Sequence, residues 1–140
     1  MTGLRRTSAL STEERSLVVP AAVLLVWFRI VLWGLPFARV RAMVSRMASR
    51  RTTPVRSPEA IGRVVEALGR RLPTVDCLPQ ALAAFVLLSR SGYTATVRIG
   101  VAREEKFAAH AWVDCEGAAV VGGAEKARFT EATGADLIEA

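Results

Sequence analysis

The sequence predicts an α+β fold in which helices come first and an antiparallel sheet follows. Apolar residues recur with helical spacing as far as Gly92, and the spacing then changes to two. The chain has 140 residues, of which 51% are hydrophobic and 23% charged, as is typical of one globular core. Helices followed by strands are typical of α+β proteins. We therefore expect residues 1–140 to form a single domain.

The N-terminal part begins with a polar stretch and continues with an apolar one. Residues 1–16 are rich in Arg, Ser and Thr, which predicts a loose terminus. Residues 17–37 are almost wholly apolar and long enough to span a bilayer. Because Pro20 and Pro36 bracket this stretch, we expect a helix of only about four turns between them.

Charged residues decide between the interpretations of this apolar stretch. Arg29 lies at its middle, where a charge disfavours insertion into a bilayer. Arg39 and Arg41 follow it without a small-residue cleavage site, which argues against a signal peptide. A buried helix, or one docked on a partner or on a membrane surface, is therefore favoured over a transmembrane span.

Two amphipathic helices are predicted next. The first carries an apolar stripe surrounded by arginines: Val40, Met43, Val44 and Met47. Residues 51–56 interrupt the helical pattern between the two helices. Residues 17–72 as a whole are predicted to be helical and basic. Ser57 is a good N-cap for the second helix, with Pro58 at its first position, and Pro73 ends it.

Residues 73–140 are expected to contain a central helix and a sheet. Asp76 is a good N-cap for a helix that starts at Cys77, and Gly92 stops it. The run 81–88 has almost no polar side, so this helix should be central.

Alternation predicts strands over 93–101, 107–115 and 118–121, arranged as a meander with a turn at Glu116-Gly117. Residues 124–140 are mixed, and a short last element is expected near Phe129.

The charge is divided between the halves of the chain. Residues 1–72 carry thirteen Arg and four Asp or Glu, which gives +9, whereas residues 73–140 carry six Lys or Arg and nine Asp or Glu, which gives −3. A basic half favours an anionic partner, although a solvated surface explains it equally well. No RNA-binding motif, zinc finger or clear recognition helix is found, so no nucleic-acid partner is expected.

Histidine and cysteine are scarce, which restricts the chemistry. With one His and two Cys, a zinc site would need all three, so neither a metal nor another cofactor is expected. Cys77 at a helix start faces unpaired amides that favour the thiolate, but a lone Cys is often a small core residue. His110 in mid-strand is, taken alone, most simply structural. Together they match a nucleophilic cysteine and its base.

The residues around this pair resemble one family. The segments Asp76–Ala83, Arg98–Val101 and Ala109–Val113, with Gly92 and Gly117, are similar to the lasso-peptide leader peptidases, which have a transglutaminase-like core. The resemblance covers about residues 17–130. It implies a cysteine peptidase with Cys77 as nucleophile and His110 as base. It also implies three partners: the leader of a ribosomally made precursor, a separate leader-recognition protein and an ATP-using cyclase that joins the freed amine to a carboxyl side chain.

One position departs from the family pattern, which has an Asp about a dozen residues after the His. Here that position falls at Gly122, which has no side chain to orient the imidazole. Asp114 lies about 13 Å along the strand from His110 and is too far away. Glu125 folding back, or a backbone carbonyl, are the alternatives. The departure also leaves open a catalytically degenerate binding or scaffold module.

The remaining site residues have two interpretations each. Cys115 points away from the His110 face and is interpreted as packing, with a Cys77–Cys115 disulfide as the rival. Trp112 either shields the imidazole or lines the substrate cleft, or it is ordinary sheet packing. A cytoplasmic location is expected, with membrane-surface contact through residues 17–51 as a further alternative.

Overall fold

The computed structural model describes residues 11–50, 56–72, 77–103, 107–122 and 130–139. Within these ranges helices precede strands, which confirms the α+β prediction. The helices are α1 (Thr12–Gly34), α2 (Phe37–Ala48), α3 (Pro58–Arg71) and α4 (Cys77–Arg90). The strands are β1 (Ala95–Arg103), β2 (Phe107–Cys115), β3 (Ala118–Val121) and β4 (Thr130–Glu139).

Helix α1 begins at Thr12, earlier than the sequence predicts. Ser11 and Glu14 form a capping box: the Ser11 hydroxyl accepts from the Glu14 amide, and the Glu14 carboxylate accepts from the Ser11 amide, each at 3.1 Å. The prediction of a loose terminus is therefore wrong for residues 12–16, while residues 1–10 lie outside the described part of the chain.

Pro20 lies inside α1 rather than at its start, so the prediction of a four-turn helix is wrong. A proline in a helix interior costs about 3 kcal/mol. Leu17 and Ala21, on either side of it, are completely buried in the core. We infer that this burial and the capping box upstream together offset the cost.

The two faces of α1 differ. One face is buried against α3 and α4. The other exposes large apolar side chains, among them Val19, Val23, Ile30 and Trp33. By length and composition α1 could cross a membrane. Of the favoured interpretations, burial describes one face of α1, and docking on a partner or a membrane surface stays a prediction for the other.

Helices α2 and α3 follow the predicted pattern. Val40 and Val44 of α2 are completely buried. The Ser57 hydroxyl accepts from the Ala60 amide at 3.2 Å, which confirms Ser57 as the N-cap of α3. The Glu13 carboxylate accepts from the Ser57 amide at 2.7 Å and so joins the start of α1 to the start of α3.

Helix α4 lies at the centre of the molecule, as predicted. Its residues 81–89 are all buried, and it contacts the other three helices and strands β1, β2 and β3. It begins at Cys77, and the chain leaves it through Gly92 with a φ of 95°. The predicted N-cap, Asp76, lies outside the described residues.

The sheet has the strand order β3-β2-β1-β4. Strands β1 to β3 form the predicted meander, and the turn at Glu116 and Gly117 has positive φ at both residues, as tight hairpins require. The prediction of only a short element near Phe129 is wrong, because the ten-residue strand β4 pairs with the free edge of β1.

An ion pair in the helical half gives a pH prediction. The Arg63 guanidinium bonds the Glu14 carboxylate and, with the Ser11 amide, lowers the pKa of Glu14. A lowered carboxyl pKa stabilises the fold above the unfolded value of about 4.5, and the contribution is lost as pH falls through the folded pKa. We expect Glu14→Gln to reduce the fall in stability between neutral and acid pH, measured by urea unfolding, with Glu59→Gln as the control.

Candidate active site

Cys77 is the first residue of α4, and its side chain lies against strand β2. The Cys77 sulfur accepts a hydrogen bond from the Ala111 amide at 3.4 Å. Ala111 directly follows His110 in the chain. The fold therefore brings the two candidate residues to one place, although 33 positions separate them in the sequence. The side chain of Cys77 is only partly buried.

His110 is held by a backbone oxygen. Its Nε2 atom lies 2.9 Å from the carbonyl oxygen of Gly122, and the residue is 8% exposed. A carbonyl can only accept, so Nε2 must carry the hydrogen in this bond. In the neutral ring Nδ1 is then unprotonated and can accept a proton. The backbone carbonyl, one of the two alternatives for orienting the imidazole, thus makes this contact.

Gly122 can occupy this position only because it has no side chain. Its φ is +80°, a conformation that favours glycine. A Cβ atom there would lie 2.9 Å from the Ala111 carbonyl oxygen and 3.1 Å from His110 Nε2. The absence of an Asp at this position is therefore a steric requirement of this site. The other alternative, Glu125, lies outside the described residues.

Glu66 of α3 is the residue that sequence reasoning missed. Its carboxylate accepts a hydrogen bond from the Gly122 amide at 2.9 Å. In the sequence Glu66 is one charged residue of an amphipathic helix, 56 positions from Gly122. No local pattern marks it. The one sequence feature that could have pointed to Glu66 is Gly62, one helical turn earlier. A glycine inside a helix indicates a close approach of the helix to another backbone.

Two neighbours of His110 on β2 have other partners or roles. Asp114 lies 2.9 Å from Arg98 Nε through its carboxylate, consistent with the expectation that it does not reach His110. Trp112 is completely buried and stacks on the imidazole, with ring centroids 6.1 Å apart and an interplanar angle of 23°. It therefore shields the imidazole from solvent on that side and does not line an open cleft.

The second cysteine is a core residue. Cys115 is buried, and this burial raises the pKa of its thiol. Both cysteines are free, so the rival interpretation of a Cys77–Cys115 disulfide is wrong. Among the described residues, no group of three or more His, Cys, Asp and Glu side chains is placed to hold a metal ion.

Comparison with known proteins identifies the family to which this arrangement belongs. The sequence model of the Transglutaminase-like superfamily matches residues 22–133, which is most of the chain. No curated protein and no solved structure matches the chain at a significant level. The matched region contains Cys77, His110 and Gly122.

Proposed function

The chain belongs to the transglutaminase-like superfamily, which includes cysteine peptidases, and from this premise we propose that it is a cysteine peptidase. Its substrate is the leader segment of a ribosomally made lasso-peptide precursor. One observation supports the peptidase proposal most directly. The Cys77 sulfur lies at the start of a helix and accepts a hydrogen bond from the amide of Ala111, the residue after His110. The choice of substrate rests on the resemblance of the segments around both residues to the leader peptidases.

The chemistry begins with a proton transfer from the Cys77 thiol to Nδ1 of His110. The thiolate attacks the scissile carbonyl carbon, a C–S bond forms, and the oxygen becomes an oxyanion. The Cys77 amide, a first-turn group without an intrahelical acceptor, can donate to that oxyanion. Collapse breaks the C–N bond, and the proton on Nδ1 passes to the departing amine of the core peptide.

The second half of the reaction releases the leader. Nδ1 of His110 takes a proton from water, and the hydroxide attacks the thioester carbon. The C–S bond breaks, the proton on Nδ1 returns to the sulfur, and the leader leaves with a new carboxyl terminus. The freed amine of the core is then the group that a separate ATP-using cyclase joins to a carboxyl side chain. Leader, recognition protein and cyclase are thus the proposed partners.

The hydrogen bond from His110 to Gly122 weakens the argument for a degenerate binding module. The module was suggested by the absence of an Asp side chain at position 122. A backbone carbonyl oxygen, 2.9 Å from Nε2 of His110, supplies an acceptor to the imidazole instead. A glycine at position 122 is therefore compatible with catalysis.

The proposal is tested with a lasso-type precursor and its leader-recognition protein. We expect one cut at the junction of leader and core, mapped by mass spectrometry, and no cut with Cys77→Ala protein. Cleavage by the Cys77→Ala protein, or no cleavage by wild type together with a Cys77 thiol that alkylates no faster than free cysteine, contradicts the peptidase.

A second proposal concerns the exposed face of α1, for which we propose contact with an anionic lipid surface. Trp33 is 83% exposed and Val19 is 69% exposed, and together with their neighbours they form an apolar patch larger than isolated surface residues explain. The following helix α2 exposes Arg39, Arg41 and Arg46. Apolar and tryptophan side chains beside arginines are typical of helices that lie in the membrane interface.

Vesicle flotation tests this surface. We expect binding to vesicles of phosphatidylcholine with phosphatidylserine at low salt, and weaker binding at high salt. Each Arg near the surface contributes about 1 kcal/mol, so Arg41→Gln with Arg46→Gln lowers partitioning roughly 30-fold. Ile30→Gln with Trp33→Gln removes apolar contact and lowers it too. Absence of binding at low salt, or equal binding to pure phosphatidylcholine, contradicts the proposal.

A further inference from the structure

We infer that Glu66 is a positioning residue of this site: it holds the Gly122 backbone so that the Gly122 carbonyl keeps His110 in the Nε2–H tautomer. The inference rests on the proposed peptidase for its catalytic consequence. The tautomer itself is a structural property and can be measured without a substrate.

Gly122 is bonded on both sides of its Cα atom. Its amide donates to the Glu66 carboxylate at 2.9 Å, and its carbonyl accepts from His110 Nε2 at 2.9 Å. Bonds from an amide to an ionised carboxylate are about twice as strong as neutral ones. Glu66 therefore fixes the residue whose oxygen orients the imidazole.

The glycine needs such an anchor. A glycine at φ +80° has access to a wide range of other conformations, and the residue after it, Gly123, is also glycine. Without a partner for its amide, the Gly122 carbonyl could turn away from His110 at little conformational cost. The bond to Glu66 thus restricts the backbone conformations that Gly122 would otherwise adopt.

Helix α3 is placed closely enough on β3 to hold this geometry. A Cβ atom on Gly62 would lie 2.6 Å from the Val120 carbonyl oxygen, so the helix backbone rests directly on the strand. Glu66 lies one helical turn after Gly62, on the same face of α3. Gly122 lies two residues after Val120, directly after the end of β3. The close packing of Gly62 on Val120 sets the distance between α3 and the chain after β3. At that distance the Glu66 carboxylate reaches the Gly122 amide.

Alternative roles for Glu66 fit the structure less well. In the described part of the chain this carboxylate accepts from a backbone amide and forms no ion pair with an arginine or lysine. It is half-buried at the junction of α3 and β3, which is unlike a freely solvated surface charge. A carboxylate only accepts, which suits an amide donor at this point.

Nuclear magnetic resonance of the lone histidine tests the tautomer directly. In ¹⁵N-histidine-labelled protein one imidazole gives all ring signals, because the chain has one His. We expect Nε2–H in Cys77→Ala protein at alkaline pH, where the ring is neutral and no thiolate pairs with it. We expect a mixture of tautomers when Glu66→Ala is added. Nδ1–H in the parent protein, or an unchanged Nε2–H signal in the Glu66→Ala protein, overturns the inference.

Kinetics of leader cleavage give the second readout. Misplacement of a catalytic group by about 1 Å can cost 10²-fold, so we expect Glu66→Ala to lower kcat by about 10- to 100-fold with little change in KM. Glu66→Gln keeps an acceptor oxygen and should recover most of kcat, while Glu59→Gln, an equal charge change on the exposed side of α3, should change nothing. Equal kcat in Glu66→Ala and wild type, or equal losses in Glu66→Gln and Glu66→Ala, overturns the positioning role.

The two readouts separate this inference from the proposed function. If the precursor is not cleaved but the tautomer responds to Glu66→Ala, the peptidase fails and the positioning contact stands. If Cys77-dependent cleavage occurs but the tautomer is Nδ1–H, the peptidase stands and the inference fails.

Discussion

Replacement of Cys77 by alanine is expected to abolish leader cleavage, with a fall in kcat of about 10⁴- to 10⁶-fold. In the proposed mechanism the Cys77 sulfur is the atom to which the acyl group is transferred, and no other thiol lies near His110. Cleavage is measured by mass spectrometry of the precursor over long incubations, in the presence of the recognition protein. His110→Ala should lose as much, because the chain has no second imidazole to accept the proton.

Cys115 supplies the matched control for that result. Cys115→Ala removes the other thiol from the core and should leave kcat unchanged, at the cost of some stability. Alkylation by iodoacetamide at neutral pH should modify Cys77 and spare Cys115, whose burial both blocks access and raises the pKa of its thiol. Loss of cleavage in Cys115→Ala protein, with Cys77→Ala still active, would exchange the roles of the two cysteines and defeat the assignment.

The non-additivity of the two candidate residues is part of the same expectation. If Cys77 and His110 act as one unit, the double variant should lose no more than either single variant. If the loss of kcat in the double variant equals the product of the two single losses, the two side chains act independently.

Local signals explain the parts of the fold that could be predicted from the sequence. The Ser57 cap and the start of α4 at Cys77 follow from capping and spacing within a few residues. The hairpin at Glu116 and Gly117 follows from turn chemistry. The length and pairing of strand β4 were not predicted because its residues do not alternate in polarity. Its position is fixed by the edge of β1, which is distant in the sequence.

The candidate site divides in the same way. Cys77 and His110 were identified because each residue type is rare and each stands in a characteristic local segment. The contribution of Gly122 is a carbonyl oxygen, which every residue carries, so only the fold shows that it meets an imidazole. Glu66 is one of several charged residues on its helix, and its contact with Gly122 depends on how closely α3 approaches β3.

An Asp at position 122, as in the leader peptidases that the chain resembles, is expected to reduce cleavage by at least about 10²-fold rather than improve it. An L-residue at φ +80° costs about 1–2 kcal/mol, and crowding of a packed site costs about 1–3 kcal/mol more. The added Cβ would meet the Ala111 carbonyl, a backbone atom that cannot rotate away, and Nε2 of His110. Residue 122 must then shift away from this backbone atom, and its carbonyl leaves the position in which it accepts from His110. Thermal unfolding and precursor cleavage measure the two effects.

Two control variants separate steric effects from the effect of a carboxylate. Gly122→Ala adds only the Cβ and should lose nearly as much activity as Gly122→Asp. Gly117→Asp places the same side chain at a φ of +90° with no atom within 4 Å of the Cβ position, so it should lose some stability and keep its activity. An increase in kcat with Gly122→Asp would mean that the carboxylate, not the carbonyl, is the better partner of His110. The carbonyl contact would then be a substitute that evolution tolerates rather than the geometry on which this site is built.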